Sequence, residues 1–399
     1  MTDGADMAAE TASERHYPRV KVRGGARERG RQYGESARAR IARSRAGYEE
    51  AFGRAAGWTW AQAVEAAAVF APEIERTFPT YVEEMRGIAD GAGLAYEDVL
   101  TLNARTEVIW AATARQAAAQ RSRFASECTA FAVLASRTAN GHPLLGQNWD
   151  WLVLGFDTLV VLEVEQPEAP NFVTVVEAGL LAKASLNSAG VAVATNALVS
   201  AADVGAPGIP YHVMLRALAD SETMTDAIAL VVGNVRASSA NYLVATADDL
   251  AVDLETAPGD YRSVRTLPPE QGALVHTNHF LGPVAGTADV SVYAMPDSLV
   301  RYQRAEPALR RASGPIDLEM VRSVLGDHAD FPSGVCCHPD PREEEGEQQW
   351  ATVMSVVMDP VDRRIWLASG NPCQFAYVEL DEQALLTKPS RLSGHRPSP

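Results

Sequence analysis

Cysteine is scarce in this sequence, and basic residues are outnumbered. Four cysteines in 399 residues, Cys128, Cys336, Cys337 and Cys373, are too few to staple a fold with disulfides. Each is therefore available as a thiol. Lysine and arginine total 35 against 51 aspartate and glutamate, a formal net charge of −16, which excludes the clustered basic face that a nucleic-acid partner requires. Acidity of this kind serves solubility and names no substrate. No apolar run is long enough to span a bilayer, and the opening M-T-D-G-A-D-M-A-A-E-T-A-S-E-R-H-Y lacks the apolar core of a signal peptide. The expectation is a cytoplasmic protein with no membrane partner. No glycine fingerprint for phosphate follows a strand, so no nucleotide cofactor is implied, and there is no internal repeat.

What is present is an ordinary globular composition, 47% hydrophobic and 22% charged, enough to bury a large core. Up to residue 127 the pattern is mainly helical. After a short strand at Val20 to Val22, helices are expected at 26–51, 61–70, 80–89 and 96–104, with I-A-D-G-A-G closing the third. The character changes at Cys128. Short β-rich runs at 129–134, 144–147, 158–165, 172–177, 182–186 and 191–195 are separated by turn residues and read as an antiparallel meander. Helices at 210–218 and 222–232, strands at 242–245, 251–254 and 273–276, and helices at 298–311 and 317–325 follow. Strands at 352–358, 364–368 and 375–379 close the pattern. Helices grouped between two sets of antiparallel strands imply an α+β, four-layer αββα arrangement of two stacked sheets. Residues 1–17 and 388–399 are expected to be disordered, leaving a helical segment at 18–127 and a core at 128–387.

The stretch E-C-T-A-F-A-V-L-A-S-R-T-A-N-G-H-P-L-L-G-Q-N-W-D-W, Glu127 to Trp151, organises the rest. Two strands joined through Asn140-Gly141 form a hairpin, and a hairpin brings its ends together. Cys128 and Asp150 then lie near one end of a sheet, a thiol expected beside a carboxylate.

Taken together, the C-T start, the N-G turn and G-Q-N-W-D resemble the isopenicillin N acyltransferase-like family of cysteine N-terminal-nucleophile hydrolases, with penicillin V acylase and bile salt hydrolase as more distant relatives. The resemblance runs from Val20 to Glu379. It includes L-N-S-A-G-V-A-V-A-T-N-A-L, H-T-N-H-F, D-S-L-V-R-Y-Q-R-A and T-V-M-S-V-V-M-D-P. It implies an N-terminal-nucleophile sandwich and five site residues: Cys128 as nucleophile, Asp150 orienting its amine, Asn196 and Asn278 at the oxyanion pocket, and Arg301 as the catalytic arginine. Gln147 stands where bile salt hydrolases have arginine, which weakens any transfer of bile-salt specificity. Glu127 precedes the nucleophile where the fungal acyltransferase has glycine, which bears on the rate of self-cleavage.

The chemistry fits those residue types. A cysteine that opens a mature chain carries nucleophile and base together, since a free α-amine has a pKa of about 7.7–8.0 and a thiol about 8.5. Within an intact chain that nitrogen is an amide and no base. The expectation is therefore a precursor cut between Glu127 and Cys128, whose α and β fragments stay together, acting on a small-molecule amide or acyl substrate. Amide hydrolysis is the first reading; acyl transfer from acyl-CoA or an amide to an amine is the second. A non-catalytic small-molecule binding protein of the same fold is the third. Each residue also has a bland reading: a buried core cysteine, a turn aspartate, strand-end asparagines, a helix-surface arginine. Cys336-Cys337-His338 has no second ligand pair at zinc-like spacing, and Cys373 alone does not complete it, so no metal is expected there. His276 and His279 are expected to shape the pocket, and Pro339 to Glu347 to be a solvated loop. Oligomeric state is not legible.

Overall fold

The computed structural model describes residues 15–114, 127–284, 286–346 and 348–387. Of the segments expected to be disordered, 1–17 and 388–399, residues 1–14 and 388–399 lie outside the described residues; residues 15–17 are described, and Tyr17 is buried in the core, a correction to that expectation. Fourteen strands are described: β1 (Arg19–Arg23), β2 (Glu127–Val133), β3 (Leu144–Leu152), β4 (Leu159–Glu165), β5 (Phe172–Glu177), β6 (Ala184–Asn187), β7 (Val191–Ala197), β8 (Ala240–Thr246), β9 (Leu250–Thr256), β10 (Val264–Leu267), β11 (Ala273–His276), β12 (Trp350–Asp359), β13 (Arg364–Ala368) and β14 (Val378–Glu379). They form an eight-stranded sheet in the order β1-β4-β5-β6-β7-β8-β9-β10 and a six-stranded sheet in the order β11-β2-β3-β12-β13-β14. All strand pairings are antiparallel except that of β1, which runs parallel to β4 at the edge.

The two sheets face each other, with β2 and β3 against β7 and β8. Helices Tyr211–Ala219 and Met224–Gly233 cover the outside of the larger sheet, and Asp297–Arg310 and Leu318–Leu325 the outside of the smaller. This is the expected helix-sheet-sheet-helix layering. Strand β2 displays its logic residue by residue. Cys128, Ala130 and Ala132 join the core between the sheets, while Phe131 and Val133 join a second core under helices Asp297–Arg310 and Leu318–Leu325. Successive side chains of a strand point to opposite faces, so one strand feeds both cores. Covered on both sides, β4, β5 and β7 read as mainly apolar runs.

The expected helix at 26–51 is two helices, Ala26–Ser36 and Arg38–Ala56. The break lets the first helix pack along Pro79–Ala92 with the backbones in contact. A Cβ on Gly30 would stand 2.0 Å from Glu84 O, and one on Gly87 2.2 Å from Arg27 O; Gly34 and Gly91 repeat the pattern one turn on. Two glycines four apart on each helix are what allows this approach. Gly91 is therefore a packing residue inside its helix, and Gly93, at φ 75°, is the residue that ends it. Helix Arg105–Thr113 and strand β10 are additions to the sequence reading.

A buried polar network fixes the front helices to both sheets. Tyr48 donates to Glu177 Oε2 at 2.7 Å, Arg105 pairs with the same oxygen at 3.0 Å, and Trp151 donates to the Tyr48 hydroxyl at 3.0 Å. Removing one partner of such a buried ion pair costs about 3–5 kcal/mol. The network therefore anchors β3, beside Asp150, as well as the helices.

Candidate active site

Strand β2 lies between β3 and β11, but β11 stops at His276, opposite Ala130. Beside Cys128 the ladder is continued by side chains. The Cys128 backbone nitrogen donates to Asn278 Oδ1 at 2.7 Å, and its carbonyl oxygen accepts from Arg301 Nη1 at 2.6 Å. Arg301 Nη2 also donates to Asn278 Oδ1, at 2.9 Å, and its Nε to Asp297 Oδ2 at 2.8 Å. The network settles which way the Asn278 amide faces: two donors converge on its oxygen, and its Nδ2 donates to Ala197 O at 2.9 Å. Ser298, on the helix carrying Arg301, accepts from the Asn278 backbone nitrogen at 2.7 Å. Asn278 thus presents an acceptor to Cys128, while the amide nitrogen expected to act as oxyanion donor is engaged elsewhere.

Asp150 stands opposite Glu127, one register step from the Cys128–Trp149 pair. The period of two then places its carboxylate on the face away from the inter-sheet core that Cys128 and Trp149 share. This corrects the expectation of a thiol directly beside a carboxylate. Asp150 Oδ1 accepts from the Thr352 hydroxyl at 2.5 Å across the β3–β12 pair, and Oδ2 is buried with no hydrogen-bond partner among the described residues. Burial pushes its pKa up to about 7, with the charge of Arg301 and the Thr352 hydrogen bond acting downward.

Asn196, on β7 in the facing sheet, makes a long 3.4 Å contact from Nδ2 to His276 O, and its Oδ1 is buried with no partner among the described residues. It adjoins Ala197, whose carbonyl receives Asn278. Gln147 crosses between the sheets: its Nε2 donates to Thr195 O at 2.8 Å and its Oε1 accepts from Thr195 N at 3.0 Å. The five candidate residues are gathered in one neighbourhood, and all are fully buried.

Lys183, Thr352 and Glu255, the partner of the expected pocket residue His276, escaped the sequence reading. Lys183 is buried with Nζ 4.1 Å from the centre of the Trp149 ring; burial pulls its pKa down to about 8, while the negative charge of the Cys128 sulfur, when ionised, acts to raise it. Thr352 lies inside the T-V-M-S-V-V-M-D-P stretch, but only the β3–β12 register reveals its role. His276 Nε2 sits 3.0 Å from Glu255 Oε1; burial opposes its charged form, yet Asp253 and Glu255 bring its pKa above the usual value. A cleft of about 360 Å³ opens against Glu255, Arg265, Thr266, Phe280, Pro283 and Val284. A larger cavity of about 700 Å³ lies at the β1 edge, against Lys21, Glu163 and Leu385, and none of the five residues lines it.

Folding also completes a cluster that spacing left incomplete. Cys336 and His338 meet Cys373 from the loop after β13 and His328 from the loop after helix Leu318–Leu325, with one ligand-type atom of each within 4.8 Å of the others. The zinc-like spacing remains absent, and the proximity of the four side chains arises only from the fold. His328 stands eight residues before Cys336 and Cys373 thirty-seven after it, spacings that no zinc-finger pattern contains. Among the described residues no helix is long and apolar enough to cross a membrane.

Residues 136–374 match the family model described as acyl-coenzyme A:6-aminopenicillanic acid acyl-transferase. The match begins after Cys128 and includes Asp150, Asn196, Asn278 and Arg301. The acyl-coenzyme A:6-aminopenicillanic-acid-acyltransferase 40 kDa form of Emericella nidulans is 30% identical over 303 residues, covering 75% of this chain and 77% of that protein. An uncharacterized protein of Archaeoglobus fulgidus is 26% identical over 279 residues, 61% of this chain and 46% of its own length. Among solved structures, a mutant of conjugated bile acid hydrolase from Clostridium perfringens has TM-score 0.36 at 12% identity, covering 61% of this chain and 89% of its own. Penicillin V acylase from Agrobacterium tumefaciens has TM-score 0.35 at 13% identity, covering 61% and 83%.

Proposed function

The chain belongs to the acyl-coenzyme A:6-aminopenicillanic acid acyl-transferase family, and from that premise we propose that it is a self-processing cysteine N-terminal-nucleophile enzyme that cleaves a linear amide through a Cys128 thioester. One observation carries this reading. The nitrogen and carbonyl oxygen of Cys128 are held by the side chains of Asn278 and Arg301, where a neighbouring strand would ordinarily hold them. A structural cysteine has no need of such a mount.

In self-cleavage the Cys128 sulfur attacks the Glu127 carbonyl carbon. The carbon–nitrogen bond breaks, a thioester forms, and the nitrogen takes up the thiol proton. Water then hydrolyses the thioester, leaving a Glu127 carboxylate and restoring the thiol. The helical fragment ending at Glu127 remains beside a fragment that begins at Cys128. Asn278 Oδ1, which accepts from the amide N–H before the cut, keeps an acceptor in place for the amine after it. That amine is the base the mechanism requires.

In turnover the thiolate attacks the substrate carbonyl, and the ammonium gives its proton to the departing amine. Water then resolves the acyl-enzyme. Asn196 Nδ2, whose hydrogen bond to His276 O is long, is the side-chain donor best able to turn to the oxyanion, an interaction worth about 3–4 kcal/mol in known cases. Arg301 stabilises the negative charge gathered around Cys128 and Asp150. The 360 Å³ cleft beside Phe280 is the proposed approach for the acyl group.

Acyl transfer to an amine is the second reading, favoured by the Emericella nidulans relative, whose name gives acyl-coenzyme A as donor. Incubating the protein and Cys128→Ala with amide and thioester donors, with and without an amine acceptor, separates the two. Release of free acid alone supports hydrolysis, and an acceptor-dependent amide supports transfer. Equal product from wild type and Cys128→Ala would sink both. A binding protein without turnover predicts that a thiol-reactive acyl probe labels Cys128 no faster than Cys373.

A further inference from the structure

Two loops meet behind the face of β3 that carries Asp150. One follows helix Leu318–Leu325 and bears His328, Cys336 and His338; the other follows β13 and bears Cys373. His338 Nε2 lies 3.1 Å from His328 Nε2, 3.5 Å from Cys336 Sγ and 3.4 Å from Cys373 Sγ, and the two sulfurs are 3.5 Å apart. The sulfurs are not a disulfide, whose bond is about 2.0 Å. A tetrahedral ion with sulfur ligands at about 2.3 Å and nitrogen ligands at about 2.0–2.1 Å places its ligands about 3.3–3.8 Å from one another. The four atoms therefore sit nearly where a small ion would hold them.

The surroundings are those of ligands fixed in advance. Cys336 N donates to Asp327 O at 3.0 Å and His338 N to Pro332 O at 2.9 Å, so the loop is closed by its own backbone. Asn371 Nδ2 donates to Cys336 Sγ at 3.5 Å and to Cys337 O at 2.5 Å. Cys336 is buried, whereas His328 and Cys373 are exposed and leave a path for entry.

We propose that His328, Cys336, His338 and Cys373 bind one zinc ion, both histidines through Nε2. Two sulfur and two nitrogen ligands in a tetrahedral array select zinc over the oxygen-seeking cations. On binding, the two thiols release their protons to solvent, and two thiolates balance the charge of the ion. With all four positions taken by protein the ion is structural. Its effect reaches the catalytic neighbourhood through the residue between two ligands. Cys337 N donates to Thr352 Oγ1 at 2.9 Å, Thr352 N donates to Cys337 O at 2.9 Å, and the same hydroxyl donates to Asp150. The ion clamps the segment that aims Thr352 at Asp150.

The test is elemental analysis of the full-length chain purified under reducing conditions without chelator, for wild type, Cys128→Ala, Cys337→Ser, Cys373→Ser and His328→Ala. The expected result is close to one zinc per chain in the first three and a loss of at least about tenfold in the last two, with a lowered melting temperature. Cobalt(II) added to the metal-free, reduced wild type should give the intense visible absorption of a tetrahedral thiolate site. That readout keeps the test decisive if the variants do not fold. A reduced wild type that takes up neither zinc nor cobalt overturns the proposal. So does unchanged zinc in Cys373→Ser, or an intact mass two hydrogens light from a Cys336–Cys373 disulfide in the protein as isolated. None of these readouts depends on turnover, so failure here is distinct from failure of the amidase reading.

Discussion

Cys128 and Asn278 are joined by a 2.7 Å hydrogen bond from backbone nitrogen to side-chain oxygen across 150 residues of chain. The bonded nitrogen is the atom that the proposed self-cleavage would convert from amide to amine. Substitutions at the two ends should therefore have different signatures.

Cys128→Ser should lower turnover on the order of 10²-fold or more, because an alkoxide is far harder to form near neutral pH than a thiolate. Cys128→Ala should stay one 399-residue chain. Intact-mass spectrometry checks the second statement. An active wild type that also remains a single uncut species removes the α-amine as base.

Asn278→Ala removes the side-chain acceptor of the buried Cys128 N–H, at a cost of about 1–3 kcal/mol, and should slow self-cleavage and lower kcat by about 5–150-fold with a smaller change in KM. Asn278→Asp, which keeps the acceptor, should retain more self-cleavage than Asn278→Ala. Equal loss in the two would mean that the amide nitrogen is the part that matters.

The pKa of Asp150, about 7 in the fold against about 3.9 in an unfolded chain, sets the sign of a stability effect. The folded state binds the extra proton between those values. The stabilisation is complete below about pH 4 and is lost as pH rises through 7, up to about 4 kcal/mol in all. In the uncut Cys128→Ala background, Asp150→Asn should flatten that slope. Urea midpoints measured from acid to alkaline pH check it, and parallel curves for the two proteins would contradict it.

Gly87→Ala drives a methyl group to 2.2 Å from the Arg27 carbonyl oxygen, a backbone atom that cannot step aside. The expected cost is about 3 kcal/mol, the upper part of the range for overpacking. A melting temperature within a degree of wild type would show that the helix pair is looser than its geometry indicates.

Periodicity and turn chemistry made most of this architecture legible. The β2–β3 hairpin reads directly from C-T-A-F-A-V and N-G, and β11 and β13 end where their alternation ends. The break at Ala37 was hidden because alanine is a good helix former and only the crossing with Pro79–Ala92 demands it. Strand β10 is half exposed and offers little apolar contrast. Asp150 was found as a residue but misplaced by one face, since register decides which side of a strand a carboxylate takes. Lys183 and Thr352 carry no local signal at all: an isolated lysine between alanines and a strand threonine acquire meaning only from what folds against them. His328 gave no sign of its place beside Cys336, His338 and Cys373 for the same reason.

The parallel pairing of β1 with β4 joins residues from opposite sides of the Glu127–Cys128 bond, in register from Arg19–Val161 to Arg23–Glu165. While the chain is whole, that contact belongs to one molecule and its strength is independent of dilution. If the proposed self-cleavage cuts the bond, unfolding yields two particles from one, and the translational entropy released on separation enters the balance. The mature protein should then melt at a temperature that rises with its own concentration, and the uncut Cys128→Ala chain at one that does not.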